Sequence, residues 1–152
     1  MIKMEGRMKK MLVKGFFLIL ILCTETIFAQ DSLAEIISQC ISAITTNSIP
    51  EGFTRMSRTQ YTKETAFGTA NLFIENGIVT MCGLGSTYDR TDQASRAISP
   101  FYDYFESNGQ YYDKIDLGDV YRIRGIYVII TKPTRRQDSQ IAAGLLFIKN
   151  LY

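Results

Sequence analysis

Histidine is missing from all 152 residues. Its absence excludes a Ser-His-Asp or Cys-His nucleophile arrangement, histidine-ligated zinc, and the side chain most used for proton transfer near neutral pH. No Asn-x-Ser/Thr acceptor occurs, so N-glycosylation gives no hint of compartment. The sequence has no linker, internal repeat or low-complexity stretch that would divide it. Long apolar runs are also lacking: the stretch Gly15 to Cys23 falls well short of the ~20 residues that a membrane-crossing helix needs, and Glu25 follows it closely.

That short run has the flanks of an export signal. Lys3, Arg7, Lys9, Lys10 and Lys14 precede it, and Ile27-Phe28-Ala29 offers a cleavage site before Gln30. Met1 to Ala29 therefore reads as a secretory signal peptide, and residues 30–152 as a single domain in the periplasm or outside the cell. A lipidated Cys23 is the competing reading, and bulky Leu22 stands against it. Cleavage removes five of the 17 basic residues and two of the 15 acidic ones, leaving 12 − 13 = −1. A nearly neutral domain has no overall field to hold nucleic acid or an anionic membrane. Its 123 residues suit one fold with its own core. Two cysteines remain, Cys40 and Cys82, in a chain bound for a compartment where disulfides persist. They are expected to bridge, and the alternative is two small buried hydrophobes that never meet.

Leu33, Ile36, Ile37, Cys40, Ile41 and Ile44 recur at three-and-four spacing and predict a helix over 31–46, capped by Asp31 or Ser32. Pro50 and Gly52 stop it, and the polar stretch to Glu64 reads as a loop or irregular edge. Asn76-Gly77 between two runs of β-formers predicts a two-residue hairpin. Counting outward from that turn pairs Ile74 with Val79 and Leu72 with Met81 on one face, and Phe73 with Thr80 and Asn71 with Cys82 on the other. Ala94, Ile98, Phe101, Tyr102 and Phe105 predict a second helix over 89–107 that runs through Pro100. Val120 to Thr131 reads as a strand that alternates at first, with Arg122 and Arg124 on one face, and turns apolar on both sides after Gly125, as Gln140 to Lys149 is. Strands apolar on both sides belong in a covered sheet, and Gln110 to Leu117 is a candidate extra short strand. The expected fold is α+β, in helix-hairpin-helix-hairpin order on a four- or five-stranded antiparallel sheet with helices on both faces. That order is shared by unrelated small domains and carries no function by itself.

Several residue sets invite a chemical reading. Cys82 lies between Met81 and Gly83 with nothing basic placed to make a thiolate, so a structural thiol is the plainer account. Gly83-Leu-Gly85 lacks the lysine and spacing of a phosphate loop. Asp113, Asp116 and Asp119 are spaced at three, unlike a calcium loop, so no metal site is assigned. Glu75, Asp103 and Glu106 could supply a carboxylate pair for a hydrolase acting on cell-wall or glycan material, but sequence brings no two of them together. Two sets point to contact surfaces. Tyr104, Tyr111 and Tyr112 fall outside the apolar stripe of the second helix and suit an exposed aromatic patch. Lys132, Arg135 and Arg136 make a basic hairpin tip that could engage an acidic partner, a phosphate or an anionic glycan. The sequence thus leads to an exported, non-enzymatic binding module with a protein or glycan partner in the envelope and no cofactor. The runner-up is the small carboxylate-based hydrolase.

Overall fold

The computed structural model describes residues 32–151, and the expected signal Met1–Ala29 lies outside the described residues. The chain runs α1 (Leu33–Thr46), β1 (Thr54–Arg55), β2 (Gln60–Thr65), β3 (Gly68–Glu75), β4 (Ile78–Tyr88), α2 (Thr91–Asn108), β5 (Gln110–Ile115), β6 (Gly118–Ile123), β7 (Ile126–Arg135) and β8 (Ile141–Ile148). The strands form one eight-stranded sheet in the order β1-β2-β3-β4-β8-β7-β6-β5. Every neighbouring pair is antiparallel.

The α+β class holds, but the four- or five-stranded sheet in helix-hairpin order does not. Each helix is instead followed by four strands. The polar stretch before Glu64 supplies β1 and most of β2, because an outer strand needs a pairing backbone more than apolar side chains. The run from Val120 to Thr131 is divided at Arg124-Gly125, whose φ values of 50° and 81° are the left-handed pair required by a tight hairpin turn.

Ser32 caps α1 by accepting from the Glu35 amide at 3.2 Å. Asn47 ends the helix in the left-handed conformation, and its side chain reaches the β3–β4 turn. There its Oδ1 accepts from the Val79 amide at 2.7 Å and its Nδ2 donates to the Gly77 carbonyl. One short side chain therefore both terminates a helix and fixes it to a hairpin. The second helix continues through Pro100 as expected and buries Ala94, Ile98, Phe101 and Phe105. Among the described residues no helix is long and apolar enough to cross a membrane.

Both helices lie on the same side of the sheet, which corrects the expected cover of both faces. Ladder partners share a face, and one row runs Leu72, Cys82, Phe147, Val128 and Tyr121 across five strands. Cys40 of α1 is disulfide-bonded to Cys82 in that row. Phe105 of α2 packs on Tyr121 in the same row, with ring centroids 5.7 Å apart. A single apolar core joins them.

The bridge depends on a β-bulge that the counted register lacks. Ile74 pairs with Val79 as expected, but the register then slips, so Phe73 pairs with Met81 and Leu72 with Cys82. The extra residue turns Cys82 from the far face toward α1. Without it the sulfur would point away from Cys40.

The fold also repeats where the sequence does not. Thr91 opens α2 58 positions after Leu33 opens α1, Gly118 opens β6 58 after Gln60, and Ile126 opens β7 58 after Gly68. Pairing obeys the same offset, since Gln60↔Phe73 becomes Gly118↔Thr131. Two α-plus-four-strand halves thus meet back to back at the antiparallel β4–β8 pair, related by a pseudo-twofold normal to the sheet. The offset from Ile78 of β4 to Ile141 of β8 is 63, and it sends Gly83 onto its own ladder partner Leu146. The axis therefore passes between those two residues.

Candidate functional site

Alternate positions of the central strands turn away from the helices. Their first row contains Phe73, Met81, Ile148 and Tyr127, and ends on Arg122. The second contains Asn71, Gly83, Leu146, Ile129 and Val120. The third is Thr69, Gly85, Gly144, Thr131 and Gly118. Neither helix covers these rows. Phe73, Met81, Leu146, Ile148 and Tyr127 are half-buried, while Ile129 and Val120 are buried yet stand apart from the core beneath the helices.

The glycines open a trough of about 500 Å³ over β4 and β8. Phe73 and Leu146 supply its apolar walls, Asn71, Thr69, Thr87 and Thr131 its neutral polar groups, and Arg136 approaches from the β7–β8 loop. Two kinds of glycine form the floor. A Cβ on Gly144 would meet the Leu84 carbonyl oxygen at 2.1 Å, so bare backbone is required for β4 and β8 to approach there. A Cβ on Gly83 would meet nothing within 4 Å, so the space above it is open. Thr131 closes the gap left where the β7–β8 register shifts at Lys132-Pro133. Its hydroxyl accepts from the Gly144 amide at 2.9 Å and donates to the Gly144 carbonyl at 3.1 Å. Thr69 donates to the Glu64 carboxylate at the rim. Gln60 donates to the Asn71 side-chain oxygen at 2.9 Å.

The basic tip reaches the trough in part. Arg136 lines both the trough and an adjoining hollow of about 490 Å³ that it shares with Arg135, Gln137 and Asp138. Its Nε lies 3.7 Å from the Asp138 carboxylate. Lys132 is exposed at the bulge, and Arg135 ends β7 on the register position of Ile141.

The three tyrosines are not brought together. Tyr104 is half-buried on α2, edge-on to Phe105. Tyr111 is 54% exposed and meets Tyr121 on the helix side. Tyr112 is 49% exposed and meets Tyr127 on the open side, with ring centroids 5.0 Å apart. The bulge in β5 between Tyr111 and Asp113 separates the neighbours. Arg122 stacks over the same Tyr127 ring at 5.7 Å, so Tyr112, Tyr127 and Arg122 form a second feature of the open face.

Other side chains with chemical potential lie elsewhere. Asp119 accepts a 2.7 Å hydrogen bond from the Tyr102 hydroxyl between β6 and α2. Burial, then that bond and the charge of Asp119, push the Tyr102 phenol well above its ordinary value. Burial raises Tyr88 likewise, and burial with the charges of Glu106 and Asp119 raises Tyr121. Asp113 accepts from the Lys114 amide, and among the described residues no cluster of three metal-ligating side chains occurs. Glu75 ends β3, whereas Asp103 and Glu106 are exposed on α2. Among the described residues lining the trough, none is a carboxylate.

Sequence reasoning missed Phe73, Asn71, Gly83, Leu146 and Thr131. The available signal was the placement of Gly83 and Gly85 at alternate positions of one strand, where absent side chains leave a groove on a single face. No protein-family model matches the chain, and neither a curated protein nor a solved structure matches it.

Proposed function

We propose that the chain is an exported, non-enzymatic binding module whose contact surface is the sheet face left open by both helices. The supporting observation is the distribution of apolar groups. An antiparallel sheet with one solvated face normally alternates apolar inside with polar outside. Here the outer face carries Phe73, Met81, Leu146, Ile148 and Tyr127 around a floor of glycines. Contiguous apolar surface rimmed by polar groups marks sites of binding. Among the described residues lining the trough the polar groups are neutral apart from Arg136 and none is a carboxylate, which suits recognition rather than hydrolysis. A protein or glycan of the envelope is the partner class, in keeping with an exported domain stabilised by a disulfide.

The test compares partner capture from envelope extracts by wild type, Gly83→Leu, and Tyr104→Ala/Tyr111→Ala/Tyr112→Ala. Leucine at Gly83 fills the trough without straining the backbone. Loss of capture by Gly83→Leu with the melting temperature unchanged supports the open face. Undiminished capture by Gly83→Leu removes it, and loss confined to the tyrosine variant moves the surface to the α2–β5 edge.

A further inference from the structure

The trough combines three chemistries in one place. Phe73 and Leu146 offer apolar walls, Asn71 and Thr87 offer hydrogen-bonding groups, and half-buried Gly83 and Gly85 leave peptide backbone within reach. Arg136 is the one charged side chain among the described residues lining it. The end of β7 and the loop after it carry Lys132, Arg135 and Arg136 against a single carboxylate, Asp138, so this end of the trough is locally cationic, while Glu64 stands at the Thr69 rim. Asp138 lies near the Nε of Arg136, and a guanidinium has five donors in a planar fork.

These features discriminate between ligands. An acyl chain requires walls that are apolar throughout, since every buried polar group without a partner costs free energy. An isolated phosphate is held by several converging donors, and one arginine does not make such a set. A sugar ring with a carboxylate fits all four features. Its C–H face rests on an aromatic wall, its hydroxyls meet amide and hydroxyl groups, and its carboxylate can take two parallel hydrogen bonds from a guanidinium. A bare glycine floor admits such a ring close to the backbone.

Resting on the open face as contact surface, we infer that the trough binds an acidic carbohydrate, a uronic-acid-bearing saccharide whose carboxylate is held by Arg136. The trough runs across the strands and is open to solvent, which suits a segment of a longer sugar chain.

Isothermal titration with a tetra-galacturonate and with neutral cellotetraose, on wild type, Gly83→Leu and Arg136→Gln, tests this. The uronate is expected to bind wild type at least about tenfold more tightly than the neutral sugar, as one charge-assisted pair allows. Arg136→Gln should erase that preference, and Gly83→Leu should abolish binding while melting as wild type does. No heat at millimolar uronate, or an affinity unchanged in Arg136→Gln, overturns the inference. If the uronate fails while Gly83→Leu still loses its envelope partner, the sugar is wrong and the open face stands. If both fail, the face falls too.

Discussion

Reduction of the Cys40–Cys82 bridge should cost this domain a large part of its stability. The bond joins the middle of α1 to β4 across a sequence separation of 42, and both residues are fully buried. In the chain-entropy treatment, opening a loop of that size frees the unfolded ensemble by about 4 kcal/mol. Typical domains hold only about 5–15 kcal/mol in total. Near the size of this one, a loss of 1 kcal/mol lowers Tm by about 4 °C, so the reduced protein should melt about 15 °C lower. The assay is urea unfolding followed by far-UV circular dichroism, after long incubation with and without reductant, because the buried sulfurs are reached only through opening. The reduced curve should have a lower midpoint and a somewhat steeper slope, since the uncrosslinked chain exposes more surface when unfolded. Coincident curves, or two free thiols in protein purified from an oxidising compartment, would refute both the bridge and the bulge that aims Cys82 at α1.

Gly144→Ala should destabilise by about 3 kcal/mol or more, because its Cβ meets the Leu84 carbonyl, whereas Gly83→Ala should fall within about 0.5 kcal/mol of wild type; parallel denaturation curves test the contrast. Asn47→Ala should cost about 2 kcal/mol, since the left-handed helix end loses the hydrogen bonds to Val79 and Gly77, and calorimetry reads the shift in Tm. Tyr102 is held protonated by burial and Asp119, so its folded pKa exceeds its unfolded value near 10. Its contribution is therefore complete below about pH 10 and declines as the pH climbs beyond it. The stability gap between wild type and Tyr102→Phe should hold up to about pH 10 and narrow as the pH rises beyond it, and a gap that stays constant into that range would count against the bond.

What the sequence revealed follows from how locally each feature is encoded. Both helices were legible because their stripes bury one continuous side, and Asn76-Gly77 because those two residues tolerate positive φ, at 52° and 78°. Arg124-Gly125 adopts the same backbone without the asparagine that signals it, so two strands read as one. The bulge beyond Val79 has no residue signature, yet it reverses the faces of Met81 and Cys82 relative to a simple count. The repeat is hidden because only burial is shared: Ile36 and Ala94, Cys40 and Ile98, and Leu72 and Ile130 occupy matching buried positions with different side chains. Strands apolar on both sides suggested two helical layers, whereas the chain keeps one face open and gathers apolar side chains upon it. The basic tip was visible as charge, but its relation to the trough depends on strands far apart in sequence.

The claim of an open binding face is tested most directly by photo-crosslinking in living cells. A photoreactive amino acid is placed in turn at Phe73 and Leu146 on the open side, and at Gln39 and Gln93 on the helices. The account predicts a shared crosslinked species, resistant to dilution, from the first pair and none from the second; crosslinks arising only from the helix positions would contradict it.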